Sequence, residues 1–261
     1  MKYEAAFFDV DWTLFDHASG RFIPSGIEAI KRLQRQGTKV FLCTARNYES
    51  LRTFGLYKLG IHWDGYVSHA GGVAEVGNHY VLKQLVDHKT IRNLCKTVTD
   101  LGRNLEIVTV KSRFMIHEAD EYTKAYYNVF KDPLPKVKPY RNEDCVGVLF
   151  FGPKEFDSEI EKKNPGLTYF RFASFGMDIQ ILPHLKGDGI KAILKAIGVA
   201  KEKAIAFGDD LQDITMADAC GAFVCMGNGK EEVKKAATFV TKRIEDDGLL
   251  YGLESLGAFE G

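Results

Sequence analysis

The sequence predicts an α/β protein in which a parallel sheet flanked by helices is interrupted by an inserted α+β domain. Near both ends of the chain, apolar strand-like runs alternate with amphipathic helical runs, which is the pattern of βαβ units. From about residue 84 this strict alternation stops, and Pro133, Pro135 and Pro139 break the middle of the region. We therefore expect a discontinuous core of residues 1–83 and 183–261 around an inserted domain of residues 84–182.

The first core segment is predicted to begin with a buried strand. Residues 3–8 form the apolar run that predicts it. A helix follows, and Ser25 is its expected N-cap. The apolar face of this helix comprises Ile27, Ile30 and Leu33. The next predicted elements are a strand at 39–43, a helix at 48–58 and a short strand at 65–69.

The inserted domain and the second core segment show different patterns. The predicted strands of the insertion are 105–110, 146–151, 167–173 and 177–182, and its predicted helices are 89–101, 118–130 and 154–162. Regular alternation then returns, with helices at 188–197, 212–220 and 231–237 and strands at 203–207 and 222–226.

The composition predicts neither a nucleic-acid nor a membrane partner. Lysine plus arginine number 35 and aspartate plus glutamate number 35, so no global attraction to anionic surfaces is expected. The five cysteines lie in apolar runs without a C-x-x-C pair, which favours reduced core residues of a cytoplasmic protein. The first predicted strand begins almost at Met1, so we expect no signal peptide. No apolar run approaches the roughly 20 residues of a membrane span.

Asp9 and Asp11 are the first candidate site residues. They directly follow the first predicted strand, in the run DVDWTL, where open α/β sheets bind their ligands. Two carboxylates this close repel each other unless a cation lies between them, which indicates a hard metal ion. A polar turn after the strand is the alternative interpretation of so short a motif.

Three further side chains lie at predicted turns and can bind an anion. Thr44 follows the second strand, where its hydroxyl can donate to a phosphoryl oxygen or cap the next helix. Arg46 can clamp an anion or pair with an acid. Lys186 precedes a helix, where it can neutralise phosphate or an acidic nucleophile, or be solvated.

A second group of acids follows another predicted strand, in the run FGDDLQD. Asp209, Asp210 and Asp213 lie within five residues in an apolar neighbourhood, which is costly unless they are paired or bind metal. Oxygen ligands of this kind suit Mg²⁺, which we therefore expect as the cofactor.

In their order along the chain, DVDWTL, Thr44, Lys186 and GDDLQD resemble the motifs of the haloacid dehalogenase superfamily. Residues 224–249, VCMGNGKEEVKKAATFVTKRIEDDGL, are similar to its Cof-type branch. The resemblance implies a Rossmann-like core, a large inserted α/β cap that excludes water and sets specificity, and a Mg²⁺-dependent phosphatase. Its implied substrates are small phosphorylated metabolites, often sugar phosphates.

The resemblance also implies residue roles. Asp9 would be the nucleophile that forms an aspartyl-phosphate, and Asp11 would protonate the leaving oxygen and then deprotonate the attacking water. The implied metal ligands are Asp9, Asp11 (through its backbone carbonyl or its side chain), Asp209 and Asp213. The implied phosphate-binding residues are Thr44, Arg46, Lys186 and Gln212.

The sequence departs from the family pattern at three positions. Trp12 occupies the place of a usual glycine, and Gln212 that of a usual asparagine. The run at 68–72, SHAGG, has Ala70 where the family usually has asparagine. None of these departures removes a carboxylate, the threonine or the lysine.

Other functions remain open at this stage. One alternative is a phosphomutase, and a second is a phosphatase acting on nucleotides or phosphorylated cofactors. A third is a non-catalytic sensor of a phosphorylated ligand, which the intact acids, Thr44 and Lys186 disfavour. We expect a monomer or a homodimer.

Overall fold

The chain alternates strands and helices over residues 2–130 and 133–259, which the computed structural model describes. In chain order the strands are β1 (Ala5–Phe8), β2 (Phe15–Asp16), β3 (Arg21–Phe22), β4 (Lys39–Cys43), β5 (Gly65–Ser68), β6 (Val73–Val76), β7 (His79–Lys83), β8 (Asn104–Thr109), β9 (Arg113–Met115), β10 (Cys145–Phe151), β11 (Thr168–Ala173), β12 (Gly176–Gln180), β13 (Ala204–Gly208), β14 (Ala222–Cys225) and β15 (Phe239–Val240). The helices are α1 (Pro24–Arg35), α2 (Tyr48–Thr53), α3 (His88–Asp100), α4 (Glu121–Phe130), α5 (Asp157–Lys163), α6 (Lys186–Ile197), α7 (Ile214–Ala219), α8 (Glu231–Ala236) and α9 (Gly248–Ser255).

The large sheet is mostly parallel and has β1 near its centre. Its strand order is β15-β14-β13-β1-β4-β5-β6-β7. β1 pairs in parallel with β13 on one side and with β4 on the other, and β6 runs antiparallel to β5. All four residues of β1 are fully buried, as expected for a parallel strand that is covered on both faces.

Helices cover both faces of this sheet because successive β1 side chains alternate between them. Phe8 belongs to the cluster that contains Ile30 and Leu33 of α1. Phe7 belongs to the opposite cluster, which contains Ile190 and Ile193 of α6. The carboxyl ends of β1, β4 and β13 therefore lie side by side, where a doubly covered parallel sheet binds its ligands.

The second compact unit is built on an antiparallel sheet. The chain leaves the first unit, which contains the large sheet, between Leu82 and Lys83. It returns to that unit between Pro183 and His184. The sheet between these points has the order β11-β12-β10-β8-β9, and α3 packs Ile91 and Leu94 into its core. The predicted fold class, a parallel α/β core with an inserted α+β domain, is thus confirmed.

Two local predictions are wrong. Ser25 does not cap α1, because the helix begins at Pro24 and the N-cap residue is Ile23. Proline at the first helical position removes a backbone N–H that has no partner inside the helix. The predicted helix at 48–58 ends at Thr53, since Gly55 has a φ of 87° and a separate 3-10 turn follows. The structure also contains a small β2–β3 hairpin that was not predicted from the sequence.

Among the helices of residues 2–130 and 133–259, none combines the length and the apolar character that crossing a bilayer requires.

Candidate active site

Three neighbouring strands end at the candidate site. Asp9 follows β1, Thr44 follows β4 and Asp209 follows β13. The backbone N–H of Asp9 donates to the carbonyl of Phe207 at 3.0 Å, which extends the β1–β13 ladder by one step. Parallel pairing in register therefore brings residues from distant parts of the sequence to one edge.

Lys186 is the only cation at the centre of this edge within the described residues, and it is 3% exposed. It is the first residue of α6, and its Nζ donates to Oδ1 of Asp9 at 2.6 Å and to Oδ1 of Asp213 at 2.5 Å. Close packing fixes this helix start, because a Cβ on Gly187 would lie 2.2 Å from the carbonyl oxygen of Thr215. The solvated alternative for Lys186 is therefore wrong.

Three buried carboxylates surround the lysine. Asp9, Asp209 and Asp213 each offer an oxygen, and the three oxygens lie within 4.8 Å of one another. Oδ2 of Asp213 accepts the backbone N–H of Asp209 at 2.8 Å and that of Asp210 at 3.0 Å. The hydroxyl of Thr13 donates to Oδ1 of Asp209 at 3.2 Å.

The electrostatics of the cluster show too little positive charge. Burial and, to a smaller extent, the neighbouring carboxylate of Asp213 together raise the pKa of Asp209 to about 7. Burial also holds the pKa of Asp9 well above its ordinary value, although the Lys186 ammonium opposes the shift. The pKa of Lys186 is raised in spite of burial, because Asp213 and Asp9 stabilise its charge. One ammonium thus faces three carboxylates.

This donor set fits a hard divalent cation. It offers oxygen ligands only and is buried, and a bound cation would supply the missing positive charge. Asp9, Asp209 and Asp213 are the residues that would hold the ion.

The carboxylate of Asp11 is not a member of this cluster and has other partners. Arg46 clamps it with two hydrogen bonds, from Nε to Oδ2 at 2.8 Å and from Nη2 to Oδ1 at 2.6 Å. Nε2 of His17 lies 2.7 Å from Oδ1. Burial would raise the pKa of Asp11, but the hydrogen bonds and charges of Arg46 and His17 hold it below its ordinary value. Two side chains thus occupy the Asp11 carboxylate, and its expected part in metal binding stays a prediction.

The remaining candidate residues are exposed or contact groups other than the three buried acids. Thr44 is fully buried, and its Oγ1 accepts the backbone N–H of Arg46 at 3.1 Å. Gln212 is exposed. Asp210 is also exposed, and it pairs with Lys230 at 2.6 Å.

Thr13 and His17 contact the acids directly, although neither was predicted as a site residue from the sequence. Thr13 could have been recognised as a candidate from its place in DVDWTL, four residues after Asp9. His17 gives no signal at the sequence level, since the structure alone brings it to Asp11.

Comparison with known proteins agrees with these motifs. Residues 6–253 match the family of haloacid dehalogenase-like hydrolases. The Bacillus subtilis protein YkrA is 28% identical over 263 residues, which cover 98% of this chain and 99% of YkrA.

Two solved structures extend the likeness to the whole fold. A protein from Geobacillus kaustophilus superposes with a TM-score of 0.90 at 29% identity, covering 98% of this chain and 99% of the other. The subclass IIB sugar phosphatase BT4131 superposes with a TM-score of 0.76 at 26% identity, covering 97% and 99% of the two chains.

Proposed function

Because the chain belongs to the haloacid dehalogenase-like hydrolases and is a phosphatase of that family, we propose that it hydrolyses small phosphate monoesters with Mg²⁺ at its acid cluster. The observation that carries the proposal is the buried group of Asp9, Asp209 and Asp213 around Lys186. A phosphate dianion can reach an aspartate nucleophile only where positive charge offsets their repulsion. When bound there, Mg²⁺ supplies that charge and holds phosphoryl oxygens.

Asp9 is the proposed nucleophile. Its carboxylate forms a bond to phosphorus while the ester oxygen–phosphorus bond breaks, giving an aspartyl-phosphate. The Lys186 ammonium, 2.6 Å from Oδ1 of Asp9, holds this carboxylate in place and stabilises phosphoryl oxygens as charge shifts. Water then attacks the phosphorus atom, and the bond to Asp9 breaks.

Asp11 is the proposed proton carrier of both steps. It gives its proton to the leaving oxygen in the first step and takes one from the attacking water in the second. Its pairing with Arg46 favours the ionised carboxylate, which is the form that the second step needs. Esters whose leaving groups need little protonation should therefore react faster in the first step.

The substrates that we propose are sugar phosphates. The solved relative BT4131 is a sugar phosphatase, and its similarity to this chain extends over both units. A screen of purified protein with Mg²⁺ against sugar phosphates, nucleotides and phosphorylated cofactors tests this choice by released phosphate.

Removal of metal tests the cofactor. Excess EDTA should abolish phosphate release, and added Mg²⁺ should restore it, since oxygen-only ligands suit Mg²⁺ rather than Zn²⁺. Full activity after exhaustive chelation would contradict the metal site. Isomerised substrate without released phosphate would indicate a phosphomutase instead.

A further inference from the structure

Aromatic side chains contact both residues that hold the Asp11 carboxylate. The guanidinium of Arg46 lies 3.5 Å from the ring centroid of Phe54, and that ring contacts Phe15 at 4.6 Å between centroids. The ring of His17 lies 4.9 Å from Phe15 at an interplanar angle of 79°. Arg46 and His17 thus both bind Asp11, and each contacts one ring of the same aromatic pair, Phe54 and Phe15.

The backbone that follows His17 forms a hydrogen-bonded turn. Asp16 accepts the backbone N–H of Ala18 at 2.9 Å and that of Ser19 at 3.2 Å, which fixes the turn that follows His17. On its other side the imidazole contacts the indole of Trp12 at 5.1 Å between centroids.

Trp12 provides that contact through a constrained backbone. Its φ is 60°, a left-handed conformation that is uncommon for an aromatic residue. Its N–H donates to the carbonyl of Phe15 at 2.9 Å, and its own carbonyl accepts Nδ2 of Asn228 at 2.9 Å. The departure from glycine at this position therefore builds one wall of the His17 pocket.

The two carboxylate oxygens of Asp11 have different numbers of hydrogen-bond partners. Oδ1 faces both Nη2 of Arg46 and Nε2 of His17, whereas Oδ2 accepts only Nε of Arg46 among the contacts of the described residues. A carboxylate oxygen has about two acceptor positions. Oδ1 is therefore filled, and Oδ2 keeps one position for a proton.

We propose that His17 is a positioning residue for this reaction: its hydrogen bond to Oδ1 orients Asp11 so that Oδ2 transfers the proton. The proposal rests on the proposed phosphatase function. In the first step the proton moves from Oδ2 to the leaving oxygen as the ester bond breaks and the bond to Asp9 forms. In the second step Oδ2 takes a proton from water as the water oxygen binds phosphorus and the bond to Asp9 breaks.

Two substitutions separate the hydrogen bond of His17 from its packing. His17→Phe keeps a ring against Trp12 and Phe15 but removes the donor, and His17→Gln restores an N–H donor near the position of Nε2. His79→Phe, at an exposed histidine of β7, is the matched control. Circular dichroism and thermal unfolding verify that each variant folds.

The readout is kcat/KM, which reports the steps through formation of the aspartyl-phosphate. For the sugar phosphate that the wild type hydrolyses fastest, His17→Phe should lower kcat/KM about tenfold, as expected for one hydrogen bond to a charged group. For p-nitrophenyl phosphate, whose leaving group needs little protonation, the loss should stay within about threefold. His17→Gln should recover most of the activity, and His79→Phe should match the wild type.

The outcomes separate this proposal from the phosphatase proposal. An active wild type with an equally active His17→Phe variant would overturn the role of His17 alone. Equal losses on both esters, or equal losses in His17→Phe and His17→Gln, would assign His17 a structural role and also overturn it. A wild type that releases phosphate from no ester would overturn the proposed function and this inference together.

Discussion

At the scale of single residues, the neighbours of Asp9 and Asp11 distinguish two side chains that look alike in the sequence. Asp9 is buried and shares Lys186 with Asp213. Asp11 is partly exposed and is held by Arg46 and His17. In the proposed mechanism, the first of these aspartates attacks phosphorus and the second transfers protons.

Substitution of each aspartate by asparagine tests this division. Asp9→Asn should leave almost no turnover, because the covalent route is lost, and the protein should still fold. Asp11→Asn should slow the reaction by about 10²–10⁴-fold, which is the usual contribution of positioned proton transfer. With p-nitrophenyl phosphate this variant should accumulate phospho-Asp9, because water attack lacks its base.

Mass spectrometry of the trapped Asp11→Asn variant identifies the modified residue. Phosphate on Asp209 or Asp213, or on no residue, would show that Asp9 is not the nucleophile.

At the scale of secondary-structure elements, the site depends on the turns that follow β13 and precede α6. Gly208 is the last residue of β13, and a Cβ there would lie 2.5 Å from Cγ of Asp213. Only glycine, which has no Cβ, therefore lets the end of β13 lie this close to the Asp213 carboxylate. Two backbone N–H groups of the same turn hold the Asp213 carboxylate.

Gly208→Ala should displace the Asp213 carboxylate and weaken Mg²⁺ binding about 10–100-fold, as losses of supporting contacts at metal sites do. Calorimetric titration of the metal-free protein with Mg²⁺ measures the change. Gly26→Ala is the control, since its added Cβ would meet only Leu249, at an ordinary 3.6 Å, within helix α1. Equal affinity in Gly208→Ala and the wild type would show that Asp213 does not hold the ion.

At the scale of the whole molecule, charge is balanced over the chain but unbalanced at the site. The formal net charge is zero, so the chain as a whole exerts no long-range attraction on anionic ligands. Inside the core, however, three carboxylates lie together, and the buried lysine beside them binds two of the three. The folded metal-free protein therefore stores repulsion at this point, and its stability depends on pH.

The pKa of Asp209 gives the direction of this dependence. It is about 7 in the folded protein, against about 4 in an unfolded chain. Between these values the folded state keeps a proton that the unfolded state releases, so this group's contribution to the free energy of unfolding falls as the pH rises. Asp9 shifts in the same direction.

Thermal unfolding in EDTA should therefore show wild-type protein losing stability, relative to Asp209→Asn, as the pH rises from about 5 to about 7.5. The comparison with Asp209→Asn is needed because carboxylates with lowered pKa values, such as Asp11, act in the opposite direction. Mg²⁺ should raise the wild-type Tm more at the higher pH, where the carboxylates are ionised. A difference between the two proteins that does not change with pH would contradict the raised pKa of Asp209.

The fold class and most candidate site residues could be predicted from the sequence. Apolar runs followed directly by Asp9, Thr44 and Asp209 predict strand ends, and parallel pairing brings such ends together whatever the details of packing. The short elements were less predictable. The end of α2 depends on a left-handed glycine, and the start of α1 depends on Pro24 rather than on the capping hydroxyl of Ser25.

The pairing of the site residues, by contrast, depends on packing in the folded chain. Lys186 is 177 residues from Asp9 in the chain, and burial and distance in the fold are what distinguish it from a solvated lysine. Arg46 had two possible partners in the sequence, an anion or an acid, and the fold pairs it with Asp11. His17 contacts Asp11 because a hairpin turn and aromatic packing place it there. Hydrogen bonds and charge act over a few ångströms, whereas sequence patterns specify which elements form and leave those final distances to packing.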